Sequence, residues 1–530
     1  MAIIKWWLQR CEAEHMACNG NFYLRGTRKF PTRLLDLGDG TIPKPRLCKR
    51  SGLPARSEYV SLSHCWGTFE PLKLTTQNMD ELEVAIPFEK LPKTFRDAIT
   101  VTWQLGFRYL WIDSLCIIQD SKEDWQKEAM TMKNVYQRAT LNIAATNSVD
   151  GQGGLFFERD PATLGPHTVD VTWDGLISGK YHMCDRYLWK NEVIEAPLSK
   201  RGWVLQERLL STRKVHFGKN QVFWECQSDH SCEAYPGFVP WPMLRALGVY
   251  LDLNMFHDGV VFTGGHGGED GLSGLKDFRL SVYKIWDRVV QTYSSLAFTK
   301  TTDRLIALAG VAQVLGSMND SEYLAGLWSK RLPRALLWVV DDPETASRPD
   351  SYIAPSWSWV SINGKVTIPP DLPEENAESP VEAIIILDAK AVSLSKDSYG
   401  QIQSGYISLQ GALMRVTIGT DTAILTLGKG NSGEAITAKT WADVGRFVQA
   451  QKLYCLPIYM QAGLCLELCG DKDGTFKRVG WWTTDHNEGP AAVLALCEEF
   501  EADGAIEESG QADNAPENVK GLARWKICLV

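Results

Sequence analysis

No run of apolar residues in this 530-residue chain approaches the roughly 20 needed to span a bilayer. The N-terminal MAIIKWWLQRCEAEH is interrupted by charge before its apolar stretch reaches the length of a secretion signal. These absences predict a soluble, cytoplasmic protein without a membrane span. Basic patches are missing too: 55 Lys and Arg are scattered against 64 Asp and Glu, for a net charge of −9. Such a chain has no face that tracks phosphates, so nucleic acid is not an expected partner. The Gly-rich TGGHGGEDGLSG at 263–274 lacks the Gly-Lys-Ser/Thr ending of a phosphate-binding loop and reads as a linker. Paired CxxC spacing is absent as well. Thirteen cysteines, an odd number, predict reduced thiols rather than a disulfide framework. Two groups, Cys11, His15 and Cys18 with Cys48, and Cys226, His230 and Cys232, read as buried cysteines beside surface histidines, so no metal is expected.

What the chain does have is a dense α/β signal from Phe107 to Ala145. Phe107 to Ile112 is an apolar run of strand length, and Asp113 comes next, where the chain must leave a sheet. Ser121 with Asp124 predicts a helix start, and Trp125, Ala129, Met132, Tyr136 and Ala139 then form one stripe. Leu141 to Ala145 reads as the next strand. Strand, helix and strand with short joints imply a parallel crossover, and open parallel sheets bind ligands beyond the carboxyl ends of their strands.

The length implies several domains. Residues 1–50 read as a short helix and a Pro-rich connector. Residues 51–235 read as the α/β domain, with Tyr59 to Ser63 as its first strand, a helix capped by Thr94 and Asp97 and stopped by Gly106, and an insertion at 150–198. Within it LSKRGWVLQERLLS is a helix, and KVHFG and QVFWEC are strands. Residues 236–368 read as helical, with DRLIALAGVAQVL and YLAGLWSKRLPRALLWVV as the clearest pieces. After an acidic, Pro-containing boundary at 369–380, residues 369–530 read as antiparallel strands with a mobile acidic loop at 501–521.

The blocks YVSLSHCWG, LPKTFRDAI, LGFRYLWIDSLCIIQDSKEDWQKEAMTMKNVYQRATLNIAA, RGWVLQERLLS and VFWEC, in that order, resemble the fungal heterokaryon-incompatibility (HET) domain over roughly 58–235. The later pieces DRLIALAGVA, YLAGLW and APSWSWVS are similar to segments C-terminal to the domain in longer members of that family. The resemblance implies a stand-alone member acting in allorecognition and cell death, with self-association or another incompatibility protein as partner. It also implies distant similarity to Toll/interleukin-receptor (TIR) domains, some of which cleave NAD with one glutamate. The implied fold is an open, mostly parallel, TIR- or flavodoxin-like sheet with flanking helices, then a helical region and a β-rich C-terminal region.

Trp203-Val-Leu-Gln-Glu207 reproduces the TIR spacing of Trp, three residues and Glu, so the resemblance makes Glu207 the catalytic candidate. Glu207 also lies between Trp203 and Leu210 on a stripe that should pack inward, where a carboxylate is costly unless partnered or used. An ion pair with Arg201, Arg208 or Arg213 is the alternative. Ser63, His64, Trp66 and Gly67 lie at the end of the first strand and can meet a ligand; a tight turn with Trp66 in the core is the structural alternative. Asp113 can accept from ribose hydroxyls or cap a backbone amide. Trp203 lines the same cleft, and Glu128 either complements Glu207 or pairs with Arg138 or Lys133. A thiol nucleophile at Cys65 or Cys116 needs a base, and His64 beside Cys65 in sequence points away from it. NAD is thus the expected substrate, with no permanently bound cofactor. Rival readings are a non-catalytic binding module and an enzyme acting on another small molecule in the same cleft.

Overall fold

A computed structural model describes residues 1–20, 30–54, 57–68, 70–160, 165, 167–172, 179–183, 185–240, 282–369, 383–395, 397–418, 424–429, 435–447, 453–459, 462–469, 474–484 and 525–530. The linker reading at 263–274, the acidic loop at 501–521 and the boundary beyond residue 369 fall outside these residues. The chain forms two compact units, Met1–Ser281 with Ala307–Val311, and Val282–Ile306 with Ala312–Val530.

The first unit is built on an eight-stranded sheet. In chain order its elements are α1 (Ala2–Glu14), β1 (Arg33–Asp36), β2 (Arg46–Lys49), β3 (Tyr59–Ser63), α2 (Lys93–Leu105), β4 (Tyr109–Trp111), α3 (Lys122–Ala129), α4 (Met132–Arg138), β5 (Leu141–Ala144), α5 (Gly202–Leu210), β6 (Arg213–Phe217), β7 (Val222–Cys226) and β8 (His230–Cys232). The spatial order is β8-β7-β6-β5-β3-β4-β1-β2. β3 pairs in parallel with β4 and β5, and β5 in parallel with β6, while the strands at both edges pair antiparallel. The expected "mostly parallel" sheet is therefore parallel at its centre and antiparallel at its edges. Every residue of β3, β4 and β5 is buried, as strands covered on both faces require. From β3 the chain crosses to β4 on one side, then returns across β3 to β5 on the other. The carboxyl ends of β3 and β5 thus flank the point where the winding reverses, where open α/β sheets have their ligand crevice.

Several local expectations change. Residues 1–50 contribute two edge strands as well as a helix. α2 is preceded by Pro92 rather than capped by Thr94, whose hydroxyl instead binds Asp150 O and accepts from Gly154 N; Gly106, at φ 95°, does end the helix. The helix begun by Ser121, which accepts from Asp124 N, breaks at Met130–Thr131, where Thr131 Oγ1 donates to Glu128 O. Ala129, Met132, Tyr136 and Ala139 of the expected stripe are nonetheless buried. The insertion at 150–198 carries a hairpin, His167–Val171 with Gly179–Met183.

The second unit contains the helix Val282–Ser294 and a nine-stranded, largely antiparallel sheet that includes Ile402–Gly411, Met414–Ile418, Leu453–Tyr459 and Ala462–Leu468, as the alternating runs predict. YLAGLW is not helical. It is a two-residue hairpin, Tyr323–Leu324 against Leu327–Trp328, turning at Ala325 (φ 46°) and Gly326 (φ 100°). Two positive φ values in succession are what a tight hairpin turn demands. No helix among the described residues is long and apolar enough to cross a membrane.

Candidate functional site

β3 delivers Ser63 and His64 to the reversal point, and α5 delivers Glu207 to the same place. α5 is a nine-residue helix with seven residues buried, Glu207 among them. Burial pushes Glu207 up to about 7; the Ser63 hydroxyl works against that, the Asp113 charge adds to it, and Arg201 and the Tyr136 hydroxyl again oppose it. Its Oε2 has no hydrogen-bond partner among the described residues.

The bland alternative for Glu207 fails on geometry. Arg208 is committed to Glu225, Nε to Oε2 at 2.9 Å, and Arg213 donates to Cys11 Sγ at 3.2 Å and to Asn19 Oδ1 at 2.8 Å. Arg201 Nη1 donates to the His64 carbonyl at 2.6 Å. Among the described residues none of these three forms an ion pair with Glu207; Arg201 acts on it only as a nearby charge.

His64 lies under the same influences. Burial depresses its pKa, Asp113 partly restores it, and Arg201 depresses it further. Its Nε2 stands 3.7 Å from Asp113 Oδ1, beyond hydrogen-bond reach, and has no partner among the described residues. The ring is held edge-on by Phe95, with centroids 4.9 Å apart, and lies nearly parallel to Trp66 at 6.4 Å. Two buried polar atoms without partners, Glu207 Oε2 and His64 Nε2, thus share the neighbours Asp113 and Arg201.

Other expected residues sort differently. Asp113 is spoken for: Oδ1 accepts from the adjacent Ser114 N at 2.7 Å and Oδ2 from Trp66 Nε1 at 2.8 Å, so it satisfies a backbone amide and fixes the Trp66 ring. Lys73 Nζ lies 5.7 Å from that ring. Gly67 is required by packing, since at φ 64° a Cβ would sit 2.3 Å from Asp150 Cβ; the close approach is to the chain itself. Trp203 packs edge-to-face on Trp125 at 6.3 Å. Glu128 pairs neither with Arg138 nor Lys133: its Oε1 is 3.9 Å from Arg33 Nη2 on β1, where Arg33 also binds Asp124. Burial raises its pKa, with Thr32 and Arg33 opposing. Cys65 and Cys116 are buried with thiols raised by desolvation, Cys116 to about 12, which argues against a thiolate nucleophile.

Sequence reasoning placed Tyr136 only in the core. A phenol on an apolar stripe must find a partner for its hydroxyl, and that requirement was the available signal. Burial raises the Tyr136 phenol well above its ordinary pKa, and the charge of Glu207 raises it further.

Fold and crevice together define an α/β domain with a partly unsatisfied carboxylate and imidazole at the reversal point of its sheet. Residues 59–207, which run from the first residue of β3 to Glu207 itself, match the heterokaryon incompatibility protein (HET) family, so the chain carries a HET domain over this stretch. Comparison with curated proteins and with solved structures finds no match.

Proposed function

We propose that the HET domain cleaves NAD at the nicotinamide bond, with Glu207 as the one catalytic carboxylate, and that the resulting loss of NAD serves heterokaryon incompatibility as a death signal. The observation that carries this reading is the buried Glu207 Oε2, without a partner among the described residues, which shares the neighbours Asp113 and Arg201 with the equally unpartnered His64 Nε2. The ribosyl C1′–nitrogen bond breaks with its electron pair passing to nicotinamide, which leaves neutral and needs no acid. The cation left behind is oxocarbenium-like, and a desolvated carboxylate stabilises it far better than water does. Water then adds to C1′, and Glu207 takes the released proton, giving ADP-ribose.

Full-length protein at high concentration, incubated with NAD, is expected to release nicotinamide measurable by chromatography. Glu207→Gln, verified as folded, is expected to reduce the rate at least a hundredfold, on the order of the loss for one stabilising group. Release at an equal rate by the variant overturns the role of Glu207, and no release by the folded wild type overturns NAD cleavage itself, leaving a binding module or an enzyme for another small molecule.

A further inference from the structure

Three members of the first cysteine and histidine group converge with one member of the second, some 200 residues away. Cys11 on the last turn of α1, His15 just beyond its end, Cys18 on the short helix Met16–Gly20, and Cys226 at the end of β7 bring one ligand atom each to within 4.8 Å of all the others. Cys226 Sγ is 3.3 Å from His15 Nδ1. A tetrahedral zinc with Zn–S of about 2.3 Å places its ligand atoms roughly 3.8 Å apart, so these four need only small adjustments.

We infer that Cys11, His15, Cys18 and Cys226 form a closed Cys3His structural zinc site that fastens the N-terminal helix to β7. Its surroundings are arranged for metal-bound thiolates. Arg213, 5% exposed, turns Nε to Cys11 Sγ at 3.2 Å and Nη2 to Asn19 Oδ1 at 2.8 Å. The carboxylate of Glu12, exposed on the same helix as Cys11, also feels the Arg213 charge, but the guanidinium donates directly to a sulfur. Three thiolates on Zn²⁺ carry one net negative charge, and Arg213 matches it. The Ser228 backbone N–H bonds the Cys226 sulfur, and Ser228 Oγ lies 3.8 Å from Cys18 Sγ. Such outer contacts orient ligands and tune the metal. Cys48, His230 and Cys232 do not join: Cys48 donates to Lys49 O, Cys232 packs in a core with Trp189 and Phe223, and the His230 ring packs edge-on against Trp189. The helix is pinned at the same place by Trp7 stacked on Trp224 at 6.2 Å, by Trp7 Nε1 donating to Pro236 O at 2.8 Å, and by the Arg10–Asp229 ion pair. The zinc site stands whether or not the crevice cleaves NAD.

Full-length protein made in zinc-supplemented medium and purified under reducing conditions is expected to hold one zinc per chain by elemental analysis, released by a thiol-reactive mercurial. Replacement by Co²⁺ is expected to show the visible bands of tetrahedral, thiolate-bound cobalt. Cys18→Ser and His15→Asn are expected to lose the metal on dialysis against a chelator. Cys48→Ser and Cys232→Ser are expected to keep it. Arg213→Gln is expected to weaken zinc affinity roughly 10- to 100-fold with the fold intact. Folded wild type that binds neither Zn²⁺ nor Co²⁺ stoichiometrically overturns the inference whatever the variants do. So does a Cys18→Ser protein that retains its zinc.

Discussion

Glu207 is an ionisable group whose folded-state pKa, about 7, lies above the 4.5 of a free carboxyl because burial dominates its environment. The folded protein therefore holds this proton more tightly than the unfolded chain, and stability attributable to Glu207 falls as pH rises from about 4.5 to about 7. The deficit above pH 7 amounts to about 3 kcal/mol at most. Glutamine cannot ionise, so Glu207→Gln is expected to be more stable than wild type at pH 8, and the advantage should vanish near pH 4.5. Denaturant titration at the two pH values measures it. A variant weakened equally at both would mean that Glu207 is an ordinary buried partner rather than a group kept at a cost to the fold. If the proposed chemistry holds, the ionised form is the active one, and nicotinamide release should rise with pH through about 7. Glu207 entered as a candidate through the resemblance to the TIR spacing; the apolar stripe itself foretold only that the carboxylate would be buried, as it is. Its neighbours were harder to read: the partners of Asp113 lie one residue and 47 residues away, and only the fold decides that Trp66 takes its second oxygen.

At the scale of elements, local chemistry governs the hairpin at Ala325–Gly326. Gly326 adopts φ 100°, and a Cβ there would fall 2.8 Å from Trp359 Nε1. Its carbonyl also accepts from both Trp286 Nε1 at 2.9 Å and Trp359 Nε1 at 3.0 Å. Gly326→Ala combines left-handed strain with a clash against a buried indole and is expected to destabilise the second unit by about 2 kcal/mol or more. Thermal unfolding monitored by tryptophan fluorescence reads this, and an unchanged midpoint would show that the turn relaxes freely. The helical reading of this segment failed because YLAGLW contains good helix formers, and its tight turn shows only as a glycine that a helix tolerates. The parallel strands were legible because burial on both faces imposes an apolar run on YLWI and admits only small serines between the apolar residues of YVSLS. β1 and β2 were not. Each is four residues long, with charged ends (Arg33 and Asp36, Arg46 and Lys49), and β1 joins the sheet through the distant pair Leu35 and Leu110. Cys11, His15, Cys18 and Cys226 stood out in the sequence only as members of two separate groups, since spacing along the chain says nothing about convergence with a strand some 200 residues away.

At the scale of the molecule, each unit has its own sheet and its own buried charges. In the second, Arg478 is fully buried, with its guanidinium stacked 3.3 Å from the Trp338 ring centroid. It donates to the carbonyls of Leu336 and Trp338 and to Asp443, with Nη2 to Oδ1 at 3.1 Å. Arg348 approaches the same carboxylate at 3.6 Å. The pair itself adds little net stability, because both charges were taken out of water, but removing one partner leaves the other buried and uncompensated. Asp443→Ala is therefore expected to destabilise the second unit by roughly 3–5 kcal/mol. The first unit's core, its crevice and its four convergent metal ligands contain no atom of this lock. The expected result is a lower-temperature transition in calorimetry, with zinc content per chain and nicotinamide release at low temperature unchanged. Loss of either function in a protein whose second unit still melts cooperatively would show that the two units act as one.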